Sequence, residues 1–165
     1  MPLIKNGAFA DDVFATVADD TPLPNGASIV SLGRFQKDRD ALLARNAPLG
    51  VLLKSSENPE ALGDDVQRFS VIVLEFPVFR DGRAFSWALM LRERLKFTGE
   101  IRATGHFLYY QIAYMRRVGF DGLNVPAGFA VEQFQRALIE ITHVYQPSAD
   151  GTPPIRALRA HCPLP

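Results

Sequence analysis

The 165-residue sequence predicts an α/β domain built on a mainly parallel sheet. Three observations predict it. Short apolar runs begin near Ile29, Val51, Val71, Ile101 and Leu123. Amphipathic helical stretches separate them. Most runs start about 21 residues apart, close to the shortest spacing that a strand–helix unit allows. About five strand–helix units with right-handed crossovers follow from this pattern. They are too few to close a (β/α) barrel. An open doubly wound sheet is therefore the first expectation. A partial TIM-like barrel completed by a second chain is the alternative.

The elements follow in order. Asn6-Gly7 lies between Leu3-Ile4-Lys5 and Ala8-Phe9 and marks a hairpin, because both residues tolerate positive φ. Asp11 to Ala18 reads as a short helical turn, and Thr21-Pro22-Leu23-Pro24-Asn25-Gly26 breaks regular structure. The runs at Gly50 to Leu53 and Val71 to Leu74 are continuously apolar, as in strands buried on both faces. Gln36 to Arg45 reads as a helix. Asn58-Pro59-Glu60 is a helix start, with a capping amide, a first-turn proline and an acid at the positive dipole end. Ala84 to Leu95 carries a wide apolar face. Phe107 to Val118 presents Leu108, Ile112, Met115 and Val118, and Phe129 to Thr142 presents Val131, Phe134, Leu138 and Ile141. Residues 1–145 thus form one α/β domain with an N-terminal hairpin. The Pro-rich residues 146–165 form a loosely held tail.

Composition excludes several classes. Basic and acidic residues number 18 each, which argues against a nucleic-acid partner. The single cysteine, Cys162, excludes an internal disulfide, a four-cysteine cluster and a CxxC pair. His106, His143 and His161 lie far apart, so no metal site is expected. No apolar run is long enough for a membrane span, and the N-terminus lacks a signal peptide's apolar core. A cytoplasmic protein is the expectation. No GxGxxG or P-loop pattern is present, and no cofactor is evident.

Ligands of open parallel sheets sit beyond the carboxyl ends of the strands. Those ends are Lys54-Ser55, Glu75-Phe76-Pro77, Thr104-Gly105-His106 and Asn124-Val125-Pro126. Glu75 closes a strongly apolar run and needs a partner. Arg80 and Arg83 flank the Asp81-Gly82 turn at the start of a helix and could hold an anion there. Thr104 and Gly105 supply a second turn where a ligand could approach the backbone. The plain structural alternative is that Asp81-Gly82 makes the turn while Arg80 or Arg83 pairs with Glu75. His106 is the one histidine at a strand end and could do acid–base work. Gln111 falls on a core-facing stripe and is expected to bond a loop.

Charge is uneven. Residues 80–117 hold eight cations, among them Arg92 and Arg94, against three acids. Residues 55–75 hold five acids against one cation. These groups either pair across neighbouring helices or form a face for an acidic partner. Tyr110 and Tyr114 lie four apart, off the apolar stripe, and suit a protein interface. The apolar face of residues 84–95 either meets a second copy, giving a homodimer, or covers the sheet.

Several stretches then converge on one family. They are Leu74-Glu75-Phe76-Pro77, Asp81-Gly82-Arg83-Ala84-Phe85-Ser86, Leu91-Arg92-Glu93-Arg94, Gly99-Glu100-Ile101-Arg102-Ala103 with Gly105, Gln111, and Arg117-Val118-Gly119-Phe120-Asp121. Together they resemble the DUF934 family, small bacterial proteins often labelled oxidoreductases of sulfite reduction. The resemblance is dense over about residues 70–125. It implies a place in assimilatory sulfite reduction, with sulfite reductase or its electron donor as partner. It carries no catalytic residues, and it calls for an acid where His106 stands and a charged pair at Tyr109-Tyr110. Sulfite reduction needs electrons delivered through cofactors. The expectation is therefore an accessory protein that docks on sulfite reductase or its donor. A small oxidoreductase or oxyanion-binding enzyme is the alternative.

Overall fold

Strand formation follows the apolar runs closely. In the computed structural model, which describes residues 1–160, eight strands form one sheet in the order β2-β1-β8-β7-β6-β5-β4-β3. Leu3–Lys5 (β1) and Ala8–Ala10 (β2) make the expected hairpin, with Asn6 and Gly7 at φ 51° and 80°. Ala15–Thr16 is β3, Ser28–Ser31 β4, Leu49–Leu53 β5, Val71–Phe76 β6, Glu100–Gly105 β7 and Gly122–Asn124 β8. The six strands β3 to β8 pair in parallel, and β1 runs antiparallel to both its neighbours, β8 and β2.

Strand order corrects the first expectation. From β3 to β8 the sheet runs in chain order without a reversal. A doubly wound sheet reverses at a switch point. The observed order is the one a partial barrel has. Its physical mark is that the helices share one face: residues of every helix from 32 to 140 join one core with Val51, Ile72, Phe76, Ile101 and Leu123. They are α1 (Leu32–Lys37), α2 (Arg39–Leu43), a 3-10 helix at Pro59–Arg68, α3 (Arg83–Glu93), a 3-10 turn at Tyr109–Gln111, α4 (Ile112–Val118) and α5 (Val131–Glu140). Ile155–Ala160 forms α6.

The chain itself shows that the sheet is curled. β2 and β3 occupy opposite edges, yet only residues 11–14 join them. Five residue steps reach at most about 18 Å. A flat sheet of eight strands spans roughly 34 Å across. The edges must therefore approach, and the sheet is a curled half-barrel with its helices outside. Residues 11–14 cross its concave side. The expected helical turn at Asp11 to Ala18 is replaced by this crossing and by β3, because Ala15 and Val17 donate their N–H groups to Ala27 and Ile29.

Other departures have local causes. The segment after β5 opens as expected, with Asn58 accepting from the Glu60 N–H at 2.9 Å. Gly63, at φ 55° and ψ −138°, then kinks it, so it stays 3-10 rather than α. Phe107 to Gln111 does not extend α4, and Leu108 lies exposed. In α5, Phe134 and Ala137 face the core while Leu138, and Ile141 just past the helix end, are exposed. The face of residues 84–95 buries Ala84, Ala88 and Leu91 against the sheet. These three residues cover the sheet. Residues 146–154 hold no helix or strand. Cys162 and His161 lie outside the described residues.

On the concave side Ile29, Val71 and Val73 form a second, smaller core under Phe14. Arg102 lies beside Val73 and is 1% exposed. Its guanidinium donates to Asp12 at 2.7 Å and to Glu100 at 3.0 Å, and lies over the Phe14 ring. Gly122 leaves room for this pair, since a Cβ there would meet Glu100 Oε1 at 2.8 Å. Lys5 completes the network with a 3.0 Å bond to Glu100. The Asp12–Arg102 contact thereby pins the crossing segment to the sheet.

Candidate functional site

Strand alternation decides which side chains reach the concave mouth at the carboxyl ends. In β6, Leu74 and Phe76 join the helix-side core, so Glu75 between them faces the concave side. In β7, Ala103 joins that core and Thr104 faces away from it. In β8, Leu123 and Val125 do so, leaving Asn124 on the concave side. Glu75 pairs directly with Thr104. Ala103 pairs with Leu123, so one step further along the parallel register Asn124 neighbours Thr104. A carboxylate, a hydroxyl and an amide thus stand side by side on three strands. Each is half-buried. Among the described residues, neither Glu75 nor Thr104 has a side-chain hydrogen bond or ion pair, and Asn124 Oδ1 is buried without a partner.

Small-ligand cavities measure roughly 300–1,000 Å³. The cavity next to these ends measures about 450 Å³ and is lined by Phe79, His106, Phe107, Leu108, Tyr109 and Phe129 together with Met1, Gly105 and Pro126; Glu75, Thr104 and Asn124 are not in its lining. Gly105 follows Thr104 directly and Pro126 lies two residues past Asn124. Gly105 sits at φ 99° with its ideal Cβ position 2.3 Å from the Phe76 carbonyl oxygen, so only glycine fits this turn. The His106 N–H donates to that same oxygen.

The structure separates the residues expected to form one anion cradle. Arg83 folds back on Asp81 with a 2.7 Å ion pair and also donates to Ser55 Oγ at 3.0 Å. The Arg83 N–H donates to Asp81 as well, so Asp81 and Gly82 do make the helix start. Hydrogen bonding from Arg83 holds the Asp81 carboxyl well below the usual carboxylate range. Arg80 lies over the Phe79 ring, 5.4 Å from its centroid. Neither arginine pairs with Glu75, which corrects the structural alternative. Thr104 and Gly105 stand with Glu75 instead.

The basic stretch is largely consumed within the fold. Arg92 donates to the carbonyls of Phe97, Gly99 and Gly119 and to Asp121, so its donors clamp the α3–β7 and α4–β8 connections. Arg94 pairs with Glu60 at 2.8 Å, and Arg117 with Asp150 at 3.2 Å. Arg116 donates to the Phe120 carbonyl. These charges pair across neighbouring elements. Gln111 bridges Leu108 N–H and the Phe79 carbonyl, the loop bond expected of it.

Tyr110 and Tyr114 are 63% and 48% exposed. They line a groove of about 380 Å³ with Leu138, Ile141 and Tyr145. Nearby, Tyr109 donates to Glu140 at 3.0 Å; burial, and then this carboxylate, push its phenol up. Sequence reasoning missed Leu138 and Ile141 as surface residues, and it missed Asn124 and Arg102 as concave-face residues. The period-two phase of β7 and β8 carried the signal for the last two.

No described residues form a three-member His, Cys, Asp or Glu group suited to a metal, and no described helix is long and apolar enough to cross a membrane. No curated protein and no solved structure matches the chain. One family model does, described as a bacterial protein of unknown function, over residues 50–156, from β5 into α6. That span takes in Glu75, Thr104, Asn124 and the tyrosine groove, and it establishes that the chain belongs to the DUF934 family.

Proposed function

We propose that the chain is an accessory protein of assimilatory sulfite reduction that docks on sulfite reductase or its electron donor. The observation that carries docking is the groove between α4 and α5. Tyr110, Tyr114, Ile141 and Tyr145 are each about half exposed or more, with Tyr145 at 82%. Contiguous apolar surface of this kind on a monomer suits a protein partner, and tyrosine is favoured in such contacts. The sulfur setting rests on the resemblance over residues 70–125. Because Arg83, Arg92, Arg94, Arg102 and Arg117 are engaged internally, the contact is apolar in character.

Analytical gel filtration with the cognate sulfite reductase tests this reading. Co-elution is expected at both low and physiological salt, since apolar contacts are weakly screened. Tyr110→Asp and Tyr145→Asp are expected to abolish it without lowering the melting temperature. Absence of co-elution with both the reductase and its donor would end the proposal.

A further inference from the structure

We propose that the cavity beyond the ends of β7 and β8 binds an aromatic carboxylate, with the ring between Phe107, Tyr109 and Phe129 and the carboxylate at the rim beside His106 and Arg80. This site is separate from the docking groove and does not depend on it.

The walls select the ring. Phe79, Phe107, Tyr109 and Phe129 all line the cavity of about 450 Å³, and no aspartate or glutamate is among the described residues that line it. Flat aromatic bodies pack against such rings edge-on or offset. The walls are also fixed before any ligand arrives. Phe107 meets the buried Phe76 edge-on at 6.1 Å between centroids. Tyr109 donates its hydroxyl to Glu140 at 3.0 Å. Gln111 donates to the Phe79 carbonyl at 3.1 Å and so ties the loop after β6 to the turn at Tyr109–Gln111. Rings already in place cost a ligand little ordering entropy. The position agrees with the general placement of ligand sites at the carboxyl ends of barrel strands.

Charge selects the carboxylate. Arg80 is exposed, lies 5.4 Å from the centroid of the Phe79 ring and forms no ion pair with any described residue. Because that ring is part of the wall, the guanidinium stands at the cavity's edge. His106 is exposed within the lining, and its ring has no hydrogen-bond partner among the described residues. A neutral imidazole carries one N–H donor and an imidazolium two. Met1 stands in the same lining, so its amino group adds positive charge rather than negative. Acids lie behind the wall rather than in it. Asp81 is held by Arg83, Glu140 stands beside Arg136 and takes the Tyr109 hydroxyl, and Glu75 is outside the lining. A cationic ligand would find the Phe79 ring already covered by Arg80 and no carboxylate to meet it. A carboxylate matches the free guanidinium in both charge and fork geometry.

Cinnamate is the probe, with cinnamamide and cinnamylamine as neutral and cationic controls, titrated into the full-length isotope-labelled chain. Saturable amide shifts are expected at residues 79–80, 105–109 and 127–129. Cinnamate should bind roughly tenfold more tightly than either control. Arg80→Gln should weaken cinnamate about fivefold or more, as loss of a charge-assisted hydrogen bond requires, and leave cinnamamide unchanged. Its melting temperature should match the parent's, because Arg80 is exposed and pairs with no acid. Phe129→Leu keeps an apolar wall and should weaken cinnamate and cinnamamide alike, severalfold, which reads the ring contact apart from the charge. The proposal is overturned if cinnamate gives no saturable shifts, if the shifts map to the docking groove, if either control binds as tightly, or if either folded variant binds like the parent.

Discussion

Asp12→Ala probes what holds the sheet curled. Arg102 is 1% exposed and donates to Asp12 at 2.7 Å and to Glu100 at 3.0 Å. Removing Asp12 deprives a buried guanidinium of one of its two acids. Breaking a buried pair costs about 3–5 kcal/mol when nothing replaces the lost partner. The Asp12 side chain is 29% exposed, so water partly replaces it here. A hydrogen bond to a charged group contributes about 1.5–3 kcal/mol net, and a loss of about 2 kcal/mol follows. For a chain of this size that lowers Tm by roughly 4–8 °C.

The double variant Asp12→Ala/Arg102→Met removes both charges. It leaves Glu100 with Lys5 and sets an apolar side chain beside Val73 and Phe14. The pair should therefore cost less than the sum of the single changes, with a coupling of about 1–2 kcal/mol. Urea unfolding measures all three values. Hydrogen exchange adds a local readout at the Ala15 and Val17 amides, which tie the edge strand β3 to Ala27 and Ile29. Those amides should exchange faster in Asp12→Ala while the β6 amides keep their protection relative to global unfolding. Strict additivity, or a loss below about 0.5 kcal/mol, would refute the view that this ion pair pins the crossing segment.

Two further outcomes follow from local geometry. Gly105→Ala places a Cβ on the Phe76 carbonyl at φ 99° and should cost about 3 kcal/mol in chemical denaturation; a neutral result would show that the turn relaxes freely. Asp81 titrates below its unfolded value because Arg83 hydrogen-bonds its charged form. Its stabilisation is therefore complete above the unfolded value of about 3.9 and is lost as pH falls through the lower folded value. Asp81→Asn should be less stable than the parent at neutral pH, with the gap narrowing below about pH 4; a gap unchanged at about pH 2.5 contradicts the assignment.

Local features of the fold were legible because each rested on short-range chemistry. Asn6-Gly7 needs no tertiary contact to favour a hairpin. The runs at Val51 and Val71 announce strands buried on both faces, and they lie at the centre of the sheet. Strand order was not legible, since no local pattern states on which face a helix packs. The decisive fact, that residues 11–14 join opposite edges, appears only once β2 and β3 are both placed. The two-residue β3 carries no alternation from which to place it.

The same division separates the site residues. Glu75 stood out because a charge ended an apolar run. Asn124 did not, although Leu123-Asn124-Val125 has the same inside–outside alternation as Leu74-Glu75-Phe76. Aligning those phases across adjacent parallel strands puts Glu75, Thr104 and Asn124 on one face without knowledge of distant contacts. Arg83 shows the reverse. A helix start with two arginines suggests an anion site, but Asp81, two residues earlier, competes at intramolecular concentration and wins the guanidinium. Arg80, over the Phe79 ring, pairs with no acid among the described residues, so the two arginines do not act together as one cradle.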